Sequence, residues 1–217
     1  MARSYPIRAG AWTLLLAFLF MFGGDSSAAE SVAPKNVLIL GDSIAAGYGV
    51  EREESFPALL QKKIDAAKLP YRIVNGGVSG DTSSGGLRRI DWMLKPPVDV
   101  LLLELGGNDG LRGVNPATTK QNLQGIIDKA KQKYPQIKIV IAGMQMPPNM
   151  GEEYTKAFAE MYPALAQAND ATLIPFLLEG VGGIPDMNQP DGIHPSVKGH
   201  EVVAGNVWKV LEPVLKK

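Results

Sequence analysis

The chain has 217 residues with 22 basic and 22 acidic side chains and a formal net charge of zero, so no broad field draws it to nucleic acid or to an anionic membrane. It has no cysteine, which excludes a disulfide scaffold, a cysteine nucleophile, thiolate metal ligands and lipidation of an amino-terminal cysteine. The length suits one globular domain with a core of its own.

Arg3 and Arg8 open the chain, an apolar run follows from Ala11 to Phe22, and residues Gly23 to Ala29 are mostly small and polar. That order predicts a secretory signal peptide over residues 1–29 and a periplasmic or secreted protein. The run is shorter than the roughly 20 apolar residues a membrane-crossing helix needs, so no stable membrane insertion is expected. Ser27 and Ala29 satisfy the small-x-small cleavage rule, which starts a mature domain, residues 30–217, near Glu30; a cut after Ala28 is equally open.

Val37 to Leu40 is a short apolar run closed by Gly41, as expected of a strand buried on both faces. Ser55 to Leu69 carries apolar residues near helical spacing until Pro70 stops it. Tyr71 to Val74 reads as a strand ending in Asn75-Gly76-Gly77, and Thr82 to Leu94 as a helix ending before Pro96-Pro97. Val98 to Leu105 is the longest apolar run of the mature domain and predicts the central strand, closed by Gly106-Gly107-Asn108-Asp109. Asn115-Pro116 starts a helix that Tyr134-Pro135 ends, and a strand follows from Ile137 to Ala142. Glu152 to Ala168 reads as helix, Ala171 to Phe176 as a short strand, and Ser196 to Leu215 as a terminal helix. This alternation predicts an α/β fold with an open parallel sheet of about five strands and helices on both faces.

In such sheets function collects beyond the carboxyl ends of the strands. Gly41-Asp42-Ser43, Ser79-Gly80-Asp81, Gly106 to Asp109, and Asp191 to His194 all fall there. A serine hydroxyl becomes a nucleophile when an imidazole takes its proton and a third group orients that imidazole. His194 follows Asp191 by three residues in Asp-Gly-Ile-His-Pro, close enough for one carboxylate to hold the ring; His200 has no such neighbour. Ser43 stands where a strand meets a turn, and the bland alternative is a helix cap. Attack on a carbonyl also needs donors for the oxyanion. Gly80 and Asn108 suit that task, although a simple turn and a left-handed backbone position explain each of them singly.

Taken together, Gly41-Asp42-Ser43, Gly106-Gly107-Asn108-Asp109 and Asp191-Gly192-Ile193-His194-Pro195 resemble the motif set of the SGNH, or GDS-type, hydrolases over nearly the whole mature chain. Leu105-Gly-Gly-Asn-Asp-Gly-Leu-Arg-Gly113 and Ser79-Gly-Asp-Thr-Ser83 are similar to the bacterial arylesterase, acyl-thioesterase and lysophospholipase branch. The resemblance implies a flavodoxin-like three-layer fold. It implies Ser43 as nucleophile, His194 as base, Asp191 as its orienter, and oxyanion donors from Gly80, Asn108 and the Ser43 amide. It implies hydrolysis of carboxylic esters or thioesters, lysophospholipids among them, through an acyl-enzyme on Ser43.

Leu111, Met144, Met146, Pro147, Pro148 and Met150 fall in two predicted loops on the same edge. They read either as an apolar groove for an acyl chain or as core filling beneath the loop. No metal or organic cofactor is implied, because the triad and the oxyanion donors supply proton transfer and charge stabilisation, and a monomer is expected.

Rival readings are a metallohydrolase gathered from Asp42, Asp81, Asp109, Asp191 and His194, and a non-catalytic secreted binding protein. The first lacks a His-Glu-x-x-His pattern or a second histidine at ligand spacing. A nucleotide enzyme would need a P-loop or Gly-x-Gly-x-x-Gly, and neither occurs. A carbohydrate O-deacetylase would use the same triad on a polar substrate. Its sugar-stacking aromatics are wanting if Trp92 and Trp208, both in predicted helices, pack into the core.

Overall fold

In the computed structural model the description covers residues 1–2 and 33–217, so the signal segment expected over residues 1–29 lies, from residue 3 on, outside the described residues, as does its cleavage point near Glu30. Strand β1 (Lys35–Gly41) leads into a short helix α1 (Ser43–Ala46), capped by Asp42, whose side chain accepts from the Ile44 amide, and ended by Gly47 at φ +75°. Helix α2 (Phe56–Ala66) and strand β2 (Tyr71–Gly77) follow. Next come α3 (Ser83–Met93), β3 (Val100–Glu104) and α4 (Gly107–Leu111). The remainder is α5 (Pro116–Lys133), β4 (Lys138–Ala142), α6 (Glu152–Asn169), β5 (Thr172–Ile174) and α7 (Val197–Leu215).

The five strands are parallel, in the order β2-β1-β3-β4-β5. Sheet growth therefore reverses once, after β2. Right-handed crossovers then put α2 on one face and α3, α5 and α6 on the other. In agreement, α2 packs against α7, while α3 packs on α5 and α5 on α6. The reversal opens a crevice between the carboxyl ends of β1 and β3, the place where ligands bind in open α/β sheets. Val37 to Leu40 and Val100 to Leu102 have no solvent exposure, which is why both strands read as unbroken apolar runs.

Several boundaries differ from expectation, each for a tertiary reason. Strand β2 runs on through Asn75-Gly76-Gly77, read above as its closing turn, because those residues pair with Ile39, Leu40 and Gly41 of β1. Gly77 is required there, since an added Cβ would strike the backbone of Ala45 and Ala46. Helix α2 stops at Ala66, three residues before Leu69, where Lys68 turns into positive φ. Strand β3 is shorter than Val98 to Leu105 and β5 shorter than Ala171 to Phe176; β5 pairs only with β4, at the edge of the sheet. The stretch expected as a loop, Gly106 to Asp109, begins a helical turn, with Gly106 at φ +116° as its cap. Trp92, expected in the core, is 66% exposed, whereas Trp208 packs against the core. No helix among the described residues is long and apolar enough to cross a membrane.

Candidate active site

Ser43 is the first residue of α1, directly after the β1 end, and is nearly buried. Its Oγ lies 2.9 Å from His194 Nε2, a residue 151 positions away in sequence. His194 Nδ1 is 2.7 Å from Asp191 Oδ2. The other oxygen of Asp191 accepts the amides of Ile193 and His194 at 2.9 and 3.0 Å. Gly192 makes this tight return possible with φ +70°. The His194 amide, the Ile193 amide and then the His194 ring hold the Asp191 carboxyl down at about 2, so it remains an anion that accepts a hydrogen bond from Nδ1–H and leaves Nε2 toward the serine.

The loop bearing this pair is fastened to the rest of the site. The Gln189 amide donates to the His194 carbonyl at 2.8 Å, and its side-chain amide donates to the carbonyls of Tyr48 and Pro195 at 2.6 and 3.0 Å. The Tyr48 ring lies against the imidazole with centroids 4.6 Å apart. His200 is a different kind of histidine. It is fully buried on α7, its Nδ1 accepts from the Phe56 amide at 3.3 Å, and burial pushes its pKa down to about 4. It is a neutral core residue at physiological pH.

Asn108 lies in the first turn of α4, and its Nδ2 donates to Asp42 Oδ2 at 3.2 Å. The next residue, Asp109, is buried and accepts from both the amide and the hydroxyl of Ser83, the first residue of α3. Arg112 donates to the Gly80 carbonyl at 3.1 Å. These bonds tie the Gly80 loop to α4. The amides of Ser43 and Gly80 donate to no backbone carbonyl among the described residues, as expected of a helix start and a left-handed turn.

Beside Ser43 a cavity of about 520 Å³ opens, lined by Asn108, Leu111, Met144, Met146 and Pro147 among others. Of the residues expected to line a groove, Met150 does not line the cavity, although Pro148 of the same 3-10 turn does; Gly80, expected as an oxyanion donor, is not among its lining residues. Met144 is 7% exposed and belongs to both the core and the cavity floor. The two alternatives weighed for the methionines therefore coexist at that residue. Phe176 and Leu178, which follow β5, line the cavity and were not anticipated; their place after a strand end is the signal that could have found them.

The carboxylates that a metallohydrolase would pool are spent singly. Asp81 takes Arg89 at 2.7 Å, Asp109 takes Ser83, Asp42 takes Asn108 and Ile44, and Asp191 takes His194. Among the described residues no three His, Cys, Asp or Glu side chains group as metal ligands.

A sequence model described as the GDSL-like lipase/acylhydrolase family matches residues 39–202. Esterase TesA of Pseudomonas aeruginosa is 43% identical over 187 residues, covering 86% of this chain and 92% of that protein. The thioesterase 1/protease 1/lysophospholipase L1 of Escherichia coli is 37% identical over 205 residues, 94% of each. The crystal structure of the psychrotrophic esterase EstA from Pseudoalteromonas sp., inhibited by monoethylphosphonate, superposes with a TM-score of 0.78 at 32% identity, covering 84% of this chain and all of that one.

Proposed function

The chain belongs to the GDSL-like lipase/acylhydrolase family and is a serine hydrolase acting on ester bonds, and on that premise we propose that it is an exported enzyme that cleaves acyl esters and thioesters through an acyl-enzyme on Ser43. The observation that carries this reading is the continuous chain Ser43 Oγ, His194, Asp191 at 2.9 and 2.7 Å. His194 Nε2 takes the hydroxyl proton as Ser43 attacks the acyl carbon, then gives it to the departing alcohol or thiol. Water repeats the sequence and frees the acid. The oxyanion is met by the amides of Ser43 and Gly80 and by the second N–H of Asn108, the first being spent on Asp42.

The acyl portion lies in the cavity, against Leu111, Met146 and Pro147. Thioesters and lysophospholipids come into consideration because a relative with similar full-length coverage is named for both activities. Met146 offers a handle on chain length. It packs on Gly110 so closely that an added Cβ there would run into its sulfur. Gly110→Ala is therefore expected to push Met146 into the cavity and move the optimum of a p-nitrophenyl ester series, acetyl to palmitoyl, toward shorter chains. Met146→Ala is expected to move it the other way. An optimum unmoved in both variants takes Met146 out of the acyl site, and a wild-type preference confined to acetyl favours a deacetylase.

The signal-peptide reading completes the proposal: the mature protein begins near Glu30 and works in the periplasm or outside the cell, as a monomer. Amino-terminal sequencing of the exported protein is expected to start within a residue or two of Glu30; a retained Met1 would overturn export by cleavage.

A further inference from the structure

Glu104, the last residue of β3, is 1% exposed, and no role has yet been given to it. Its Oε2 accepts the Asp42 amide at 3.1 Å, and Gly41 of β1 pairs beside it in the sheet. It sits so close beneath the nucleophile turn that a Cβ at Gly41 would strike it. Among the described residues no cation is joined to it. Arg89 of α3 spends its guanidinium on Asp81 and the Gly41 carbonyl, at 2.7 and 3.0 Å. Tyr162 of α6 donates to the Leu105 carbonyl, and Asp109 of α4 is engaged with Ser83. Asp42, 2% exposed, is the acidic neighbour in direct contact, and beyond it stand Asp81 and His194.

We propose that Glu104 is a positioning residue: it accepts the Asp42 amide beneath the Ser43 turn and so keeps the Asp42 carboxyl where it accepts one N–H of Asn108, which aims the other N–H at the oxyanion. The proposal rests on the Ser43 mechanism above, with Asn108 as a donor.

Asp42 and Glu104 are two neighbouring buried carboxyl groups, and two adjacent buried anions are strongly disfavoured. Burial first, and then the charge of Asp42, push the Glu104 carboxyl well above the ordinary carboxylate range. Burial also raises Asp42, but bonds from the Ile44 amide and Asn108 oppose the rise and leave it at about 6. Asp42 has one oxygen for Ile44 and the other for Asn108, at 3.0 and 3.2 Å. A side-chain amide can rotate about its last torsion at low cost, so an oxyanion donor of this type works only when its second N–H is anchored. The anchor here is Asp42, and what keeps Asp42 in place from beneath is Glu104.

The test compares kcat and KM for p-nitrophenyl ester hydrolysis in wild type, E104Q, E104L, N108A and E104L/N108A. Removing a single oxyanion donor costs on the order of 10²–10³-fold in kcat, and E104L, which leaves Asn108 present but unaimed, is expected to lose a substantial part of that with KM little changed. E104Q, which can still donate and accept without charge, is expected to restore most of kcat. In the N108A background E104L is expected to cost almost nothing more, because both changes remove one donor. Asp42→Asn carries the same test should E104L fail to fold: it is expected to lower kcat in wild type and to be nearly silent beside N108A. Full activity in E104L, loss in E104Q equal to that in E104L, or undiminished loss of E104L or Asp42→Asn beside N108A would each overturn the proposal. An active-as-wild-type N108A would instead remove Asn108 from the oxyanion site, which is a failure of the underlying mechanism and is recognised as such.

Discussion

Ser43→Ala and His194→Ala are each expected to lower kcat for ester hydrolysis by roughly 10⁴–10⁶-fold, with the double variant no slower than the worse of the two. The reason lies in how little either group can do alone. A neutral serine hydroxyl is a poor nucleophile, and in the proposed mechanism its proton leaves along the 2.9 Å contact to His194 Nε2. Without the hydroxyl the imidazole has only bulk water to activate; without the imidazole the hydroxyl keeps its proton. Removing one member therefore removes the function of both, and the energies do not add. Residual rate would come from the oxyanion donors and the cavity, which remain intact in both variants. The measurement is kcat on a soluble p-nitrophenyl ester, with thermal unfolding compared alongside. A folded Ser43→Ala enzyme within tenfold of wild type, in the same range where triad loss costs about 10⁴ or more, would exclude Ser43 as nucleophile.

Asp191→Asn is the second large effect, expected to reduce kcat by about 10²–10⁴-fold without disturbing the fold. The carboxylate has two jobs, one oxygen receiving the Ile193 and His194 amides and the other facing His194 Nδ1. An asparagine keeps its oxygen on the two amides and so presents its NH₂ to Nδ1. That favours the ring form with Nε2 protonated, which cannot accept the Ser43 proton. The pH dependence separates this from a charge effect. Asp191 has a native pKa of about 2, below the unfolded-chain value of about 3.9. Its interactions are thus fully present above that unfolded value and are lost only as pH falls through about 2. Loss in Asp191→Asn should accordingly be as large at alkaline as at neutral pH, and kcat measured across that range checks it. Recovery of wild-type kcat at alkaline pH would mean that the carboxylate only shifts a titration and does not select a ring form.

The two halves of the proposed triad were legible to different degrees. Asp191 and His194 lie three residues apart, and a pair that close can meet through one local turn, so spacing alone points to it. Ser43 and His194 are 151 residues apart and meet because both lie at the carboxyl edge of one parallel sheet. That edge could be read because the two central strands, β1 and β3, are short apolar runs and parallel strands are joined by right-handed crossovers as a rule. The Gly106 to Asp109 turn was harder. Glycine, asparagine and aspartate are weak helix formers, and the turn becomes helical through Asp109 anchoring on Ser83 and the Gly106 cap.

What the sequence determined by itself is whatever the backbone encodes at short range: alternating strands and helices, the turns that close them, and polar residues left at strand ends. What only the tertiary structure decided concerns groups whose behaviour depends on what lies above and below them. Met146 and Pro148 line the cavity and Met150, at the far end of the 3-10 turn that Pro148 begins, does not, although all were expected in one groove. Trp92 stays in solvent on a helix whose other face is buried. Glu104 looks in sequence like one more charge at the end of a strand, yet loss of its hydration and the charge of Asp42 push its carboxyl well above the ordinary carboxylate range. Desolvation depends on the complete shell of neighbours, and residues as distant as Asp42, Ala45 and Glu104 form that shell only when β1 and β3 lie side by side.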